Sequence, residues 1–156
     1  MIDGDPLQLF SWGEMLLRLG LAAFLGLLLG LDRELRGHDA GIRTHALVAL
    51  SSAMIMVSSL ILYAELRTED YAPDPLRSIQ GLSQAIGFIA AGMIFVRRST
   101  VVNMTTAANI WIAAAIGIAC GCGQYRVVTV GAVLAIVLLV LVRGLERYLP
   151  AEKRES

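Results

Sequence analysis

The chain has 156 residues, with 13 Lys and Arg balancing 13 Asp and Glu, and 56% of its residues are hydrophobic, for a mean hydropathy of +0.68. A net charge of zero supplies no basic field for nucleic acid, which is excluded as an expected partner. The apolar residues come in blocks and the charges in clusters, whereas an ordinary soluble domain spreads its charges over its surface; one polytopic membrane domain fits the length.

The opening "MIDGDPLQLF" is acidic where a secretory leader would be basic, and no small-residue cleavage site follows a short apolar run. The first apolar segment is therefore expected to stay as an anchor. Crossing roughly 30 Å of hydrocarbon takes about 20 apolar helical residues, and five segments meet that length closely. They run from Trp12 to Leu31, Ala46 to Ala64, Ile79 to Val96, Met104 to Gly123 and Tyr125 to Val142. None alternates with period two, which argues against a barrel. The expected fold is all-α: a polytopic membrane helix bundle of about five transmembrane helices over residues 12–148. Residues 1–11 and 149–156 are expected as a short periplasmic N-terminus and a short cytoplasmic tail.

Orientation follows from the basic residues on each side. One side carries Arg33, Arg36, Arg43, Arg97, Arg98, Arg143, Arg147, Lys153 and Arg154; the other carries Arg18, Arg67, Arg77 and Arg126. The richer side is expected in the cytoplasm, with the N-terminus outside and the C-terminus inside.

Between the first two spans lies "LDRELRGHDAGIRTH", with eight ionisable side chains in fifteen residues. The positive-inside rule accounts for its arginines but not for its acids, which contribute little to orientation. If the first helix continues into this loop, Asp32 can pair with Arg36, and Glu34 with His38, at i, i+4. Asp32, Arg33, Glu34, Arg36, Asp39, Arg43, Thr44 and His45 are the candidate functional residues here, with an interlocked charge network as their expected arrangement. Asp32, Glu34 and Asp39 are weak Mg²⁺ candidates, because Mg²⁺ takes carboxylate oxygens and keeps several waters. The neighbouring arginines argue against a tight bare-ion site, and no other cofactor is expected.

The outer connector Glu65–Ser78, with Pro73 and Pro75, reads as an irregular solvated loop. Glu14 and Arg18, also i, i+4, read as a self-neutralised pair near the outer interface. In the third span Ser83, Gly87 and Ala91 recur every four residues, a small-residue face suited to close helix packing. Gln80 and Gln84 flank it and are expected to turn into the bundle, since amides in hydrocarbon need partners. With Thr105, Thr106 and Asn109 of "NMTTAANIW" they are the candidates for a polar path. Cys120 and Cys122 are one residue apart, and the histidines lie at the opposite membrane face, so the pair reads as buried small residues rather than metal ligands.

"GLDRELRGHDAGIRTHALVAL" closely resembles the signature of the MgtC/SapB family of bacterial inner-membrane proteins, and "GFIAAGMI" and "TTAANIW" look like that family's third- and fourth-helix motifs. The resemblance runs from about Gly20 to Arg147, without the soluble cytoplasmic domain that longer members carry. Three positions depart from the pattern. Asp32 stands where glutamate is commoner, Ala90 where glycine is usual, and Asn103 where glycine often precedes the two threonines.

The resemblance implies a non-enzymatic, virulence-associated protein of the inner membrane, linked to Mg²⁺ homeostasis and adaptation to low Mg²⁺. Its implied partners are the lipid bilayer, other membrane proteins such as an ATPase or transporter, and further copies of itself as a homodimer or small homo-oligomer. A channel or transporter for Mg²⁺ or another cation is the alternative expectation.

Overall fold

The computed structural model describes residues 10–38, 40–97 and 100–146. Most of the terminal segments assigned outside the membrane, together with Asp39, Arg98 and Ser99, lie outside the described residues. Five helices form the fold: α1 (Trp12–Glu34), α2 (Ile42–Leu66), α3 (Leu76–Met93), α4 (Met104–Gly121) and α5 (Tyr125–Glu146). The expected all-α membrane bundle is what the chain builds. Three of the helices, α1, α2 and α4, are long and apolar enough to cross a membrane, and α5 carries a shorter apolar stretch, Tyr125–Leu139.

The end of the third span is corrected, and α4 stops at Gly121 where Gly123 was expected. The third span was expected to reach Val96, but α3 stops at Met93. Phe95–Arg97 (β1) then pairs antiparallel with Thr100–Val102 (β2), in the register Phe95 opposite Val102. Five of these six residues are aromatic or β-branched, the types that fit a pleated strand better than a helix.

Each helix start has its own device. Ser11 accepts a hydrogen bond from the Glu14 N–H at 3.2 Å, the N-cap of α1. The Asp74 carboxylate accepts from the Leu76 N–H at 2.9 Å to open α3. At the start of α4, Asn103 holds the left-handed conformation, φ 67°. Asparagine tolerates that region better than most side chains.

The packing depends on side chains that are absent. A methyl carbon placed on Gly26 would lie 2.6 Å from the His45 carbonyl oxygen, and one on Gly30 would lie 2.7 Å from the Ile42 Cα. On the other side of α2, a methyl on Gly121 would lie 2.7 Å from the Ala53 carbonyl oxygen, and one on Gly117 would overlap the backbone of Ala49. Helix α2 is thus gripped by two glycine pairs, each spaced i, i+4, with Ala49 fully buried between them. This small-residue contact lets helix backbones approach without a hydrophobic drive.

The α4 helix touches every other helix, whereas α3 and α5 pack mainly against it. The core between α1, α2 and α4 is built largely of alanines, with Leu29, Ile116 and Cys120 among them. Outside, Leu16, Phe24, Phe88, Val130 and Leu138 are each more than half exposed, an apolar exterior of the kind a bilayer covers.

The third-span motif behaves differently. The buried ridge of α3 is Leu82, Ile86 and Ala90. Ser83 is half-buried, Gly87 meets only the Trp111 ring at 3.4 Å, and Ala91 is exposed. Adding a methyl by Gly117→Ala should therefore destabilise the bundle by roughly 1–3 kcal/mol through overpacking. Gly81→Ala, where nothing lies within 4 Å, should be neutral or stabilising by up to about 1 kcal/mol through helix propensity. Unfolding of the two variants in micelles checks this; a neutral Gly117→Ala would contradict the close contact.

Candidate functional site

The glycine contacts bring the C-terminal end of α1, the N-terminal end of α2 and the first turn of α4 to one end of the bundle. The charged loop closes over that end. Helix α1 does continue into the loop, and Arg36 donates to the Asp32 carboxylate at 2.8 Å, one turn apart. Beyond Glu34 the chain turns, with Gly37 at φ +69°, a conformation glycine adopts freely. That turn takes Glu34 and His38 off a common helical face. Glu34 instead reaches the Ile42 N–H at 3.0 Å and caps α2, whose N-cap residue Gly41 has no side chain for the task.

Arg33 is only 4% exposed. Its guanidinium donates to the Thr105 hydroxyl at 3.5 Å and to the Thr106 hydroxyl, which is itself buried. His45 is fully buried and shares a hydrogen bond at 2.9 Å with the Gly41 carbonyl through Nδ1, while its Nε2 has no partner among the described residues. Arg43 is exposed and makes no ion pair among the described residues, and Thr44 is half-buried. The described contacts include three anchors, Asp32 with Arg36, Glu34 with Ile42, and Arg33 with the two threonines. His38, in the loop, is held below the usual histidine range, first by burial and then by the charges of Arg33 and Arg36.

Asp32 and Glu34 are engaged as described, Asp39 lies outside the described residues, and no group of three or more His, Cys, Asp or Glu suited to a metal occurs among the described residues.

The polar-path candidates separate. Thr105, exposed, and Asn109, half-buried, are one turn apart on α4 at the loop end. Gln80 and Gln84 lie toward the opposite end, near where α3 begins and where Ser78 meets Ser59 of α2 at 2.6 Å. Both glutamines are exposed rather than turned inward, because Leu82 and Ile86 take the inward positions.

At that far end Glu14 and Arg18 pair at 2.7 Å, but they are more than a self-neutralised pair. The Tyr125 hydroxyl donates to Glu14 at 2.7 Å, and Arg18 donates to the Gly121 carbonyl at 2.9 Å. The pair clasps α1 to the turn between α4 and α5. Tyr125 stands 111 positions from Glu14, and no local spacing announces it. Cys120 is buried, Cys122 is half-buried, and both are free thiols.

A model of the MgtC family matches residues 19–148. The chain is 39% identical over 127 residues to an Escherichia coli protein named "Putative magnesium transporter YhiD", covering 81% of this chain and 59% of that one. It is 37% identical to Protein SapB of Bacillus subtilis, over 76% of this chain and 53% of that one. Against Protein MgtC of Salmonella typhimurium the identity is 34%, over 82% of this chain and 52% of the other. The chain thus spans little more than half the length of these relatives. No solved structure matches it.

The two loop charges that sequence alone treats alike should separate on mutation. Glu34→Ala leaves the start of α2 uncapped and should cost about 0.5–2 kcal/mol. Arg43→Ala, exposed and without an ion pair among the described residues, should stay within about 0.5 kcal/mol of wild type. Denaturant unfolding in micelles measures both, and equal effects would contradict the capping role.

Proposed function

Because the chain belongs to the MgtC family, we propose that it is a non-enzymatic protein of the bacterial cytoplasmic membrane, working in Mg²⁺ homeostasis and adaptation to low Mg²⁺ through lateral contact with membrane partners. The observation that carries this reading is the division of the polar residues between the two ends of the bundle. Asp32 pairs with Arg36 at the end of α1, Glu34 caps α2, and Arg33 reaches the first turn of α4. Such a charged end suits contact with another protein better than passage of an ion, which needs a continuous polar lining. The same reading places the loop end in the cytoplasm, from the excess of arginine there. Copies of the chain are proposed to associate as well, with Ser83, Gly87 and Ala91 of α3 as the candidate face.

A second reading, transport of Mg²⁺ or another cation, draws on the name of the Escherichia coli relative. Within one protomer it would have to join Gln80 and Gln84 to Thr105, Thr106 and Asn109 across the length of the bundle.

Tracer Mg²⁺ uptake into liposomes holding the full chain separates the two readings. The proposal expects flux at the level of empty liposomes, and saturable uptake would overturn it in favour of transport. In cells, Asp32→Asn should impair growth in Mg²⁺-limited medium at normal membrane abundance. Wild-type growth would reduce the acid to a passive part of the loop. For orientation, a fluorescent reporter fused after Glu146 should light up in the cytoplasm, and a phosphatase inserted between Arg67 and Pro75 should be active outside. The reverse pattern would invert the bundle.

A further inference from the structure

The most unusual group in the molecule is the Arg33 guanidinium. It is nearly enclosed, yet among the described residues it makes no ion pair. Its hydrogen bonds go to two neutral hydroxyls, and its Nε–H has no acceptor. A guanidinium does not shed its proton in a protein, so burial leaves a positive charge that calls for an anion. The adjacent Asp32 offsets part of that charge, but its Oδ1 is held by Arg36, and Glu34 is held by the Ile42 N–H.

A second, independent feature points to the same place. Arg33 lies against the first turn of α4, an 18-residue helix that no side chain caps among the described residues. The Ala107 N–H bonds back to Asn103, which leaves the Met104, Thr105 and Thr106 N–H groups as the orphan donors of the helix start. They carry the positive end of the helix dipole, an arrangement that attracts anions. The fully buried His45 has an Nε2 without a partner among the described residues. Met104 and Thr105 are exposed, so this corner can be approached from the surface.

We infer that the Arg33 guanidinium and the first turn of α4 form a binding site for a phosphate-bearing anion. A flat guanidinium fork, backbone N–H groups and a threonine hydroxyl together offer more directed donors than a halide can use, and they match the several acceptor oxygens of a phosphate. The site lies at the loop end, beside Arg36 and His38, whose imidazole is held below the usual histidine range first by burial and then by the charge of Arg33. Soluble phosphate groups and lipid headgroups share this chemistry. The inference does not rest on the Mg²⁺ reading, and its test measures binding alone, so either can fail without the other.

The full chain in maltoside micelles, which contain no phosphate, is titrated with inorganic phosphate in one arm and phosphatidylglycerol in the other, at constant ionic strength against chloride. The unfolding midpoint of the wild type should rise saturably in at least one arm. A response to inorganic phosphate assigns a soluble ligand, and a response to the lipid alone assigns a headgroup. Arg33→Lys and Thr105→Val should each raise the half-saturating concentration by about tenfold. If Arg33→Lys does not fold, Thr105→Val carries the test, because it changes an exposed hydroxyl to a methyl of the same shape. No shift in either arm would overturn the site, as would equal shifts in wild type and Thr105→Val, or stabilisation only by an added acidic protein.

Discussion

Close backbone contact on both sides of α2 is the constraint from which the remaining geometry follows. In a bilayer the lipid is as apolar as the helices, so association depends on how near the backbones can come. Gly26 and Gly30 on α1, and Gly117 and Gly121 on α4, leave no room for a single added methyl. Ala49 lies where the two contacts meet. With three helices locked at that depth, the ends of α1 and α2 and the start of α4 have fixed positions relative to one another.

What occupies those ends follows from that locking. Arg33, one helical turn beyond Leu29 of the core, has nowhere to go but against the first turn of α4. Three residues beyond Gly30, the chain offers Arg33 and then Glu34, of which one is buried and the other caps α2. A charge buried so close to a membrane interface is costly and is kept where it positions something or meets a partner. The opposite end is tied by the Glu14, Arg18 and Tyr125 clasp, which holds α5 to a bundle it otherwise touches mainly through α4. The two polar ends are thus separated by a middle built mainly of small and apolar residues, with Ser52 of α2 buried among them.

Much of this arrangement could be read in the amino-acid order. Long apolar runs marked the helices, and the Asp32 and Arg36 spacing marked their ion pair, because both depend on local periodicity. Which small-residue face packs is a different kind of question. Gly26 with Gly30, Gly117 with Gly121, and Ser83 with Gly87 share one spacing, and spacing alone does not say which pair meets a neighbour. The structure presses the first two pairs onto α2 and leaves Ser83 and Gly87 at the margin of α3. For the same reason Gln80 and Gln84 were expected inside and lie outside: the ridge two positions along, Leu82 and Ile86, takes the inward place. Contacts across the chain, such as Arg33 with Thr106 and Glu14 with Tyr125, have no local signature at all. The left-handed backbone at Asn103 is likewise visible only in the structure.

The central claim is that close packing on α2 brings the buried Arg33 into contact with the first turn of α4. A double-mutant cycle of Arg33→Lys and Thr106→Val, read as unfolding free energy of the full chain in micelles, tests it most directly. The account predicts a coupling of about 1 kcal/mol or more between the two positions. Effects that simply add, to within about 0.5 kcal/mol, would contradict it.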